Sequence, residues 1–234
     1  MTSPFFIASF ALVVILVVMS TKLRKARRAE YIRTYVLPDG LFDHLRKRRP
    51  ELSLKDCQLV SHALRQFFLA YLKSGCKFVA MPSQVADDLW HELILYTKNY
   101  DLFCRRAFGC FLHHTPAVVL STAQQNNTGL RRCWWFTCRE ENINPREPTR
   151  LPLLFALDAK LKLADGFHYV ADCSSIRRKT SESESGAVYC GGDFSSPSFD
   201  GSTDGFAFEF SAGGGGWGDS GSSGCGGGGC GGGD

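Results

Sequence analysis

A mainly α-helical protein is predicted by three features of the sequence. An uncharged apolar run lies near the N-terminus, apolar residues recur at three- and four-residue steps through the middle, and serine and glycine dominate the end. Together they divide the 234 residues into a transmembrane anchor over 1–21, a helical domain over 22–173 and a disordered Gly-rich tail over 174–234. The periodic segments of the middle add up to a compact bundle of about five helices with little sheet.

The anchor rests on Pro4 to Ser20, PFFIASFALVVILVVMS, whose only polar side chains are serine hydroxyls. Its length is near the short end of the roughly 17–25 residues that span a hydrocarbon layer. Lys22, Arg24, Lys25, Arg27 and Arg28 follow at once. A cleavable signal would carry its charge before the apolar run and a small-residue cleavage site after it, so the pattern reads as a single-pass anchor. Basic flanks stay on the cytoplasmic side, which puts the N-terminus outside and the domain inside. The first partner this implies is a lipid bilayer, met through residues 4–20.

Hydrophobic residues make up 44% and charged residues 21%, ordinary for a globular chain, so the middle can bury a core. The net charge of +4 is small, and much of the basic excess sits in Lys22–Arg28 and Arg46–Arg49. Such clusters suit a solvated or membrane-facing surface, and no nucleic-acid partner is expected. With the domain in a reducing compartment, the 10 cysteines are expected as free thiols.

Within the middle, a basic helix continues to Val36, Pro38-Asp39-Gly40 turns, and Leu41 to Arg48 forms a short helix before Pro50. Ser53 is an N-cap for the next helix, Gly75 closes it, and Leu54, Cys57, Val60, Leu64, Phe67, Phe68, Tyr71 and Leu72 make its apolar stripe. His62 falls off that stripe, and Cys57 and Cys76 read as small packing residues. Ser83 caps a further helix whose core face holds Ala86, Leu89, Trp90, Leu93, Ile94 and Thr97, with a bend near Asn99-Tyr100. Asn127 or Thr128 caps a helix ending before Asn144-Pro145, in which Trp134, Trp135 and Cys138 pack. Leu153 to Leu163 is the last helix, and Phe167 to Val170 an extended segment. In the tail, Cys225 and Cys230 could hold a soft metal, but their spacing lacks the second ligand pair of a zinc site.

Candidate chemistry concentrates between Met81 and Pro116. Asp87 and His91 stand one helical turn apart at the edge of the apolar face, where a carboxylate can bond an imidazole. Cys104 and the pair His113-His114 follow, among the aromatic anchors Trp90 and Tyr100. Two readings result. His91, Cys104, His113 and His114 could supply ligands to zinc or iron, with Asp87 orienting His91. Alternatively these groups only lock the helix to the next segment by hydrogen bonds. A thiol enzyme using Cys104 or Cys110 with His113 lacks an evident third orienting group. No phosphate-binding loop, dinucleotide fingerprint or serine elbow is present. The function expected from the residues is an anchored interaction or scaffold module with a protein partner. The alternative is a metal-dependent or thiol enzyme.

The same stretch resembles the glycine-rich-domain-containing-protein-like family in its membrane-anchored bacterial form. The residues that carry the resemblance are Asp87-x-x-Trp90-His91, Ile94-Leu95-x-Thr97, Tyr100, Phe103-Cys104, Phe108-Gly109 and Phe111-x-His113-His114-x-Pro116. CWWFTCREENINP, LPLLFALDAKLKLADGFHY and the Gly- and Cys-rich end are similar as well, and the likeness spans roughly Tyr31 to Cys173. Other branches carry a second histidine after the Trp-His pair, where this chain has Leu93 and Leu95. The resemblance implies a bacterial inner or plasma membrane and no established activity.

Overall fold

The apolar run and the basic segment after it form one continuous helix, α1 (Pro4–Thr34), 31 residues long and so about 46 Å from end to end. It belongs to a computed structural model that describes the backbone of residues 4–114, 123–171 and 188–190, and the side chains of 8–114 and 128–171. The two halves of α1 live in different surroundings. Phe10 and every residue from Leu12 to Met19 are 44–71% exposed, whereas Ala29 and Ile32 are buried where the helix packs on α3 and α5. Among the described residues no helix is long and apolar enough to cross a membrane. Residues 4–7, with which the expected anchor begins, have side chains outside the described set.

α2 (Leu41–Arg48) follows the turn at Gly40, and α3 (Leu54–Lys73) is the helix around which the others are laid. Its start is a capping box: the Asp56 amide donates to Ser53 Oγ at 3.2 Å and the Ser53 amide to Asp56 Oδ2 at 2.9 Å. Its end is a Schellman turn, with Cys76 N donating to Tyr71 O at 3.0 Å and Gly75 N to Leu72 O at 3.2 Å. Gly75 holds φ +79, which only glycine adopts without strain. The stripe read from the sequence is the core face, except that Leu54 at its start is exposed. From Phe67 to Leu72 all six consecutive residues are buried, because α3 touches α1, α2, α4, α6 and α7. His62 is exposed, as its place off the stripe implies.

α4 (Gln84–Leu95) and α5 (Thr97–Ala107) are separate helices divided at Tyr96 (φ −80, ψ 60), three residues before the expected bend. Thr97 therefore starts a new helix and is exposed, outside the core face to which its spacing assigns it. α6 (Ala123–Glu140) begins ahead of the expected cap at Asn127 or Thr128. Trp134 and Cys138 are fully buried and Trp135 nearly so, all three packing as expected. α7 (Leu153–Lys160) stops earlier than expected, at a turn in which Lys162 has φ +55. The described residues thus hold seven helices, α1 and six others, where the sequence predicts the N-terminal helix and a bundle of about five: the basic segment continues the N-terminal helix, and the central helix splits in two.

β1 (His168–Val170) pairs in parallel with β2 (Val188–Cys190), Tyr169 opposite Tyr189. β2 lies past residue 173, within the segment whose composition reads as tail. Cys225 and Cys230 lie outside the described residues.

Candidate metal centre

Local chemistry fixes where α4 begins. Ser83 Oγ accepts the Ala86 amide at 3.2 Å, and Asp158 of α7 satisfies what remains of the helix start. Asp158 Oδ1 accepts Ser83 Oγ–H at 2.6 Å, and its Oδ2 accepts the amides of Gln84 at 2.8 Å and Phe167 at 3.0 Å. This carboxylate is 1% exposed and ties α4, α7 and the approach to β1 together. Its signal in the sequence is a single acid inside the apolar run Leu153-Leu-Phe-Ala-Leu-Asp158, which carries no charge other than this one up to that point.

From that fixed start, Asp87 and His91 emerge one turn apart at the rim of the core, with side chains 22% and 41% exposed and His91 Nδ1 3.5 Å from Asp87 Oδ2. The third group comes from the segment after α5. Leu112 is buried, and its carbonyl accepts the Tyr100 hydroxyl at 2.6 Å. Tyr100 in turn accepts the Trp90 indole N–H at 3.1 Å. Extended backbone sends alternate side chains to opposite sides. With Leu112 inward, His114 also faces in, while Phe111 and His113 face solvent against each other, centroids 4.8 Å apart. His114 lands with Nε2 2.9 Å from Asp87 Oδ1, its ring 4.6 Å from Trp90 and 4.2 Å from His91.

Of the residues singled out in the sequence, the structure gathers Asp87, His91 and His114, with one ligand atom of each within 4.8 Å of the others. Trp90 and Tyr100 form the wall behind them. His113 points elsewhere, and Cys104 is buried in that wall, its thiol beside the Tyr100 hydroxyl and the Leu112 backbone. Burial raises the Cys104 thiol above its ordinary range and raises the Tyr100 phenol well above its own, the nearby Cys104 adding to the latter. Both stay protonated at neutral pH, so Cys104 offers a buried thiol and no ready thiolate ligand or nucleophile. The sequence leaves His113 and His114 equivalent. The buried Leu112 is the cue that separates them, since it sets the parity of the segment.

Two imidazole nitrogens and a carboxylate oxygen are the donor set of many zinc and iron centres, three protein ligands leaving positions for water. Zinc bonds of about 2.0–2.2 Å in tetrahedral array put ligand atoms about 3.3 Å apart, within reach by small rotations of side chains at the rim. Without an ion, the same carboxylate bridges both rings and stitches α4 to residues 109–114.

No curated protein matches the chain, and no solved structure does. A family model does match, over residues 27–194, a span that covers α2 to α7, the lower part of α1 and both strands. The chain therefore belongs to the UCP032817-like family.

Proposed function

We propose that the protein is a membrane-anchored helical module whose domain binds a zinc- or iron-class divalent ion through Asp87, His91 and His114. The observation that carries the reading is the convergence of a carboxylate and two imidazoles, from two separate segments, within 4.8 Å. The second histidine comes from sequence-distant backbone, seated by the buried Leu112 and the Tyr100 hydrogen bond. The anchor is supported by the uninterrupted exposure of Leu12 to Met19, apolar on every side of the helix, followed by the basic cluster. The likeness of the Asp87–Pro116 motif to glycine-rich-domain-containing-protein-like proteins belongs to this proposal as well and adds no activity to it.

Elemental analysis of the full chain purified in detergent tests the site. One equivalent of zinc or iron is expected, lost in His91→Ala and His114→Ala and retained in His113→Ala. A folded His114→Ala protein that keeps its full metal content overturns the assignment. A metal-free wild type whose melting temperature does not change with added zinc leaves the three groups as a hydrogen-bond lock in an interaction module. For the anchor, a reporter fused after Asp234 should show the cytoplasmic phenotype, and strong alkaline phosphatase activity there would reverse the orientation.

A further inference from the structure

Cys57, Cys104, Cys133 and Cys138 are buried free thiols, whereas Cys76 and Cys110 are only half-buried. These two share an unusual position. α3 and α5 each end on a glycine of positive φ, Gly75 (φ +79) and Gly109 (φ +81), and in each case the next residue is a cysteine. The two helix ends lie side by side, the Tyr71 ring of α3 edge-on to Phe108 at the end of α5 with centroids 4.9 Å apart, and the Cys76 and Cys110 thiols are close neighbours. Cys76 is itself held at φ +61, a left-handed conformation that L side chains rarely adopt. Cys110 has the Tyr71 hydroxyl 4.0 Å from its sulfur.

Cys76 also lines an open pocket of about 340 Å³ whose other wall is the basic turn of α1, Arg24, Lys25 and Arg28, with Leu72 at its side. Among the described residues, no acidic side chain lines it. Lys25 Nζ donates to the Lys73 carbonyl at 2.9 Å and Arg28 Nη1 to the Phe108 carbonyl at 2.9 Å, so both cations are held by neutral carbonyls and, among the described residues, meet no carboxylate. At Gly109 a Cβ would stand 2.6 Å from Arg28 Nη2, which shows how closely that guanidinium seats against the backbone leading to Cys110.

We propose that Cys76 and Cys110 are a reversible dithiol–disulfide pair, oxidised from the basic pocket by a small disulfide that carries carboxylates. The chemistry is thiol–disulfide exchange. The Cys110 thiolate attacks one sulfur of the small disulfide, whose S–S bond breaks and releases one thiolate. Cys76 then displaces the second, forming the Cys76–Cys110 bond. Two protons and two electrons leave the protein, and the small disulfide departs as two thiols. Burial and the neighbouring Cys110 push the Cys76 thiol up to about 11, which keeps it protonated and leaves the first attack to Cys110; once Cys110 is in the mixed disulfide its share of that shift is gone and Cys76 resolves the bond. The bond would staple the end of α3 to the end of α5.

The test uses the full chain in detergent, treated with oxidised glutathione, digested with trypsin and mapped by mass spectrometry. The expected product links the peptides 74–77 and 107–131, which hold Cys76 and Cys110, and dithiothreitol reverses it. In Cys76→Ser, glutathione should remain attached to Cys110 as a stable mixed disulfide, because the resolving thiol is gone. At low ionic strength oxidised glutathione should form the link about tenfold faster than uncharged hydroxyethyl disulfide, an advantage that salt removes. Failure to form the 74–77/107–131 link in a folded wild type overturns the pair. Equal rates for the two oxidants overturn the role of the basic pocket.

Discussion

Trp90 and His91 are neighbours in sequence, and the structure gives them opposite weights. Trp90 is 4% exposed, with its ring 5.0 Å from Phe67 and 6.1 Å from Phe68, and its indole N–H bonded to Tyr100. Truncation to alanine removes that ring from a packed aromatic cluster and leaves a cavity, a cost of about 3–5 kcal/mol. The Tyr100 hydroxyl keeps its bond to the Leu112 carbonyl, so no buried group is orphaned to add to the loss. At about 2–4 °C per kcal/mol for a domain of this size, the melting temperature should fall by about 10–15 °C. His91 is 41% exposed and meets Asp87 at 3.5 Å. A pair this open contributes up to about 1 kcal/mol, so in the metal-free protein His91→Gln should shift melting by at most about 4 °C. The assay is thermal unfolding of both variants by circular dichroism beside a zinc titration, in which His91→Gln retains the fold and loses the ion. A His91→Gln protein that melts as low as Trp90→Ala would put the imidazole in the core and refute its placement at the rim.

Asp158→Ala strips the acceptor from Ser83, Gln84 and Phe167 together, and urea denaturation should show a loss of about 3–5 kcal/mol; under 1 kcal/mol would mean that α4 does not depend on it. Gly109→Ala should cost more than Gly75→Ala although both hold positive φ, because its Cβ would meet Arg28 at 2.6 Å while nothing stands within 4 Å at Gly75. Equal urea midpoints for the two variants would deny that Arg28 is seated as described. Glu140 accepts from Arg33 at 2.7 Å and from Lys73; burial alone would raise its carboxyl, but these cations outweigh it and hold the value below the usual range. A lowered folded-state value means that the unfolded state binds the proton first, so this contribution is complete above about pH 5, beyond the unfolded value of about 4.3. It disappears as pH falls through the folded value, and urea midpoints measured from pH 7 to pH 3 should decline less steeply in Glu140→Gln than in the wild type.

The sequence by itself determined the helices with strong periodicity and clear punctuation. Ser53, Ser83 and Gly75 act through bonds to residues three to five positions away, so their roles are written in a few adjacent letters. The stripe of α3, the surface place of His62 and the pairing of Asp87 with His91 across one turn are local in the same sense. Tertiary structure decided what depends on distant partners. The break at Tyr96 goes with a hydroxyl bonded to the Asp39 carbonyl, 57 residues away, and no spacing rule carries that contact. Asp158 reads as an oddity in an apolar run until α4 lies against it. His114 joins Asp87 and His113 does not because Leu112 is buried, which the chain settles only when Tyr100, itself held by Trp90, reaches the Leu112 carbonyl. Cys76 and Cys110 read singly as small packing residues or chance thiols. They become a pair only because α3 and α5 finish side by side, where long-range packing brings the two glycine-marked ends together.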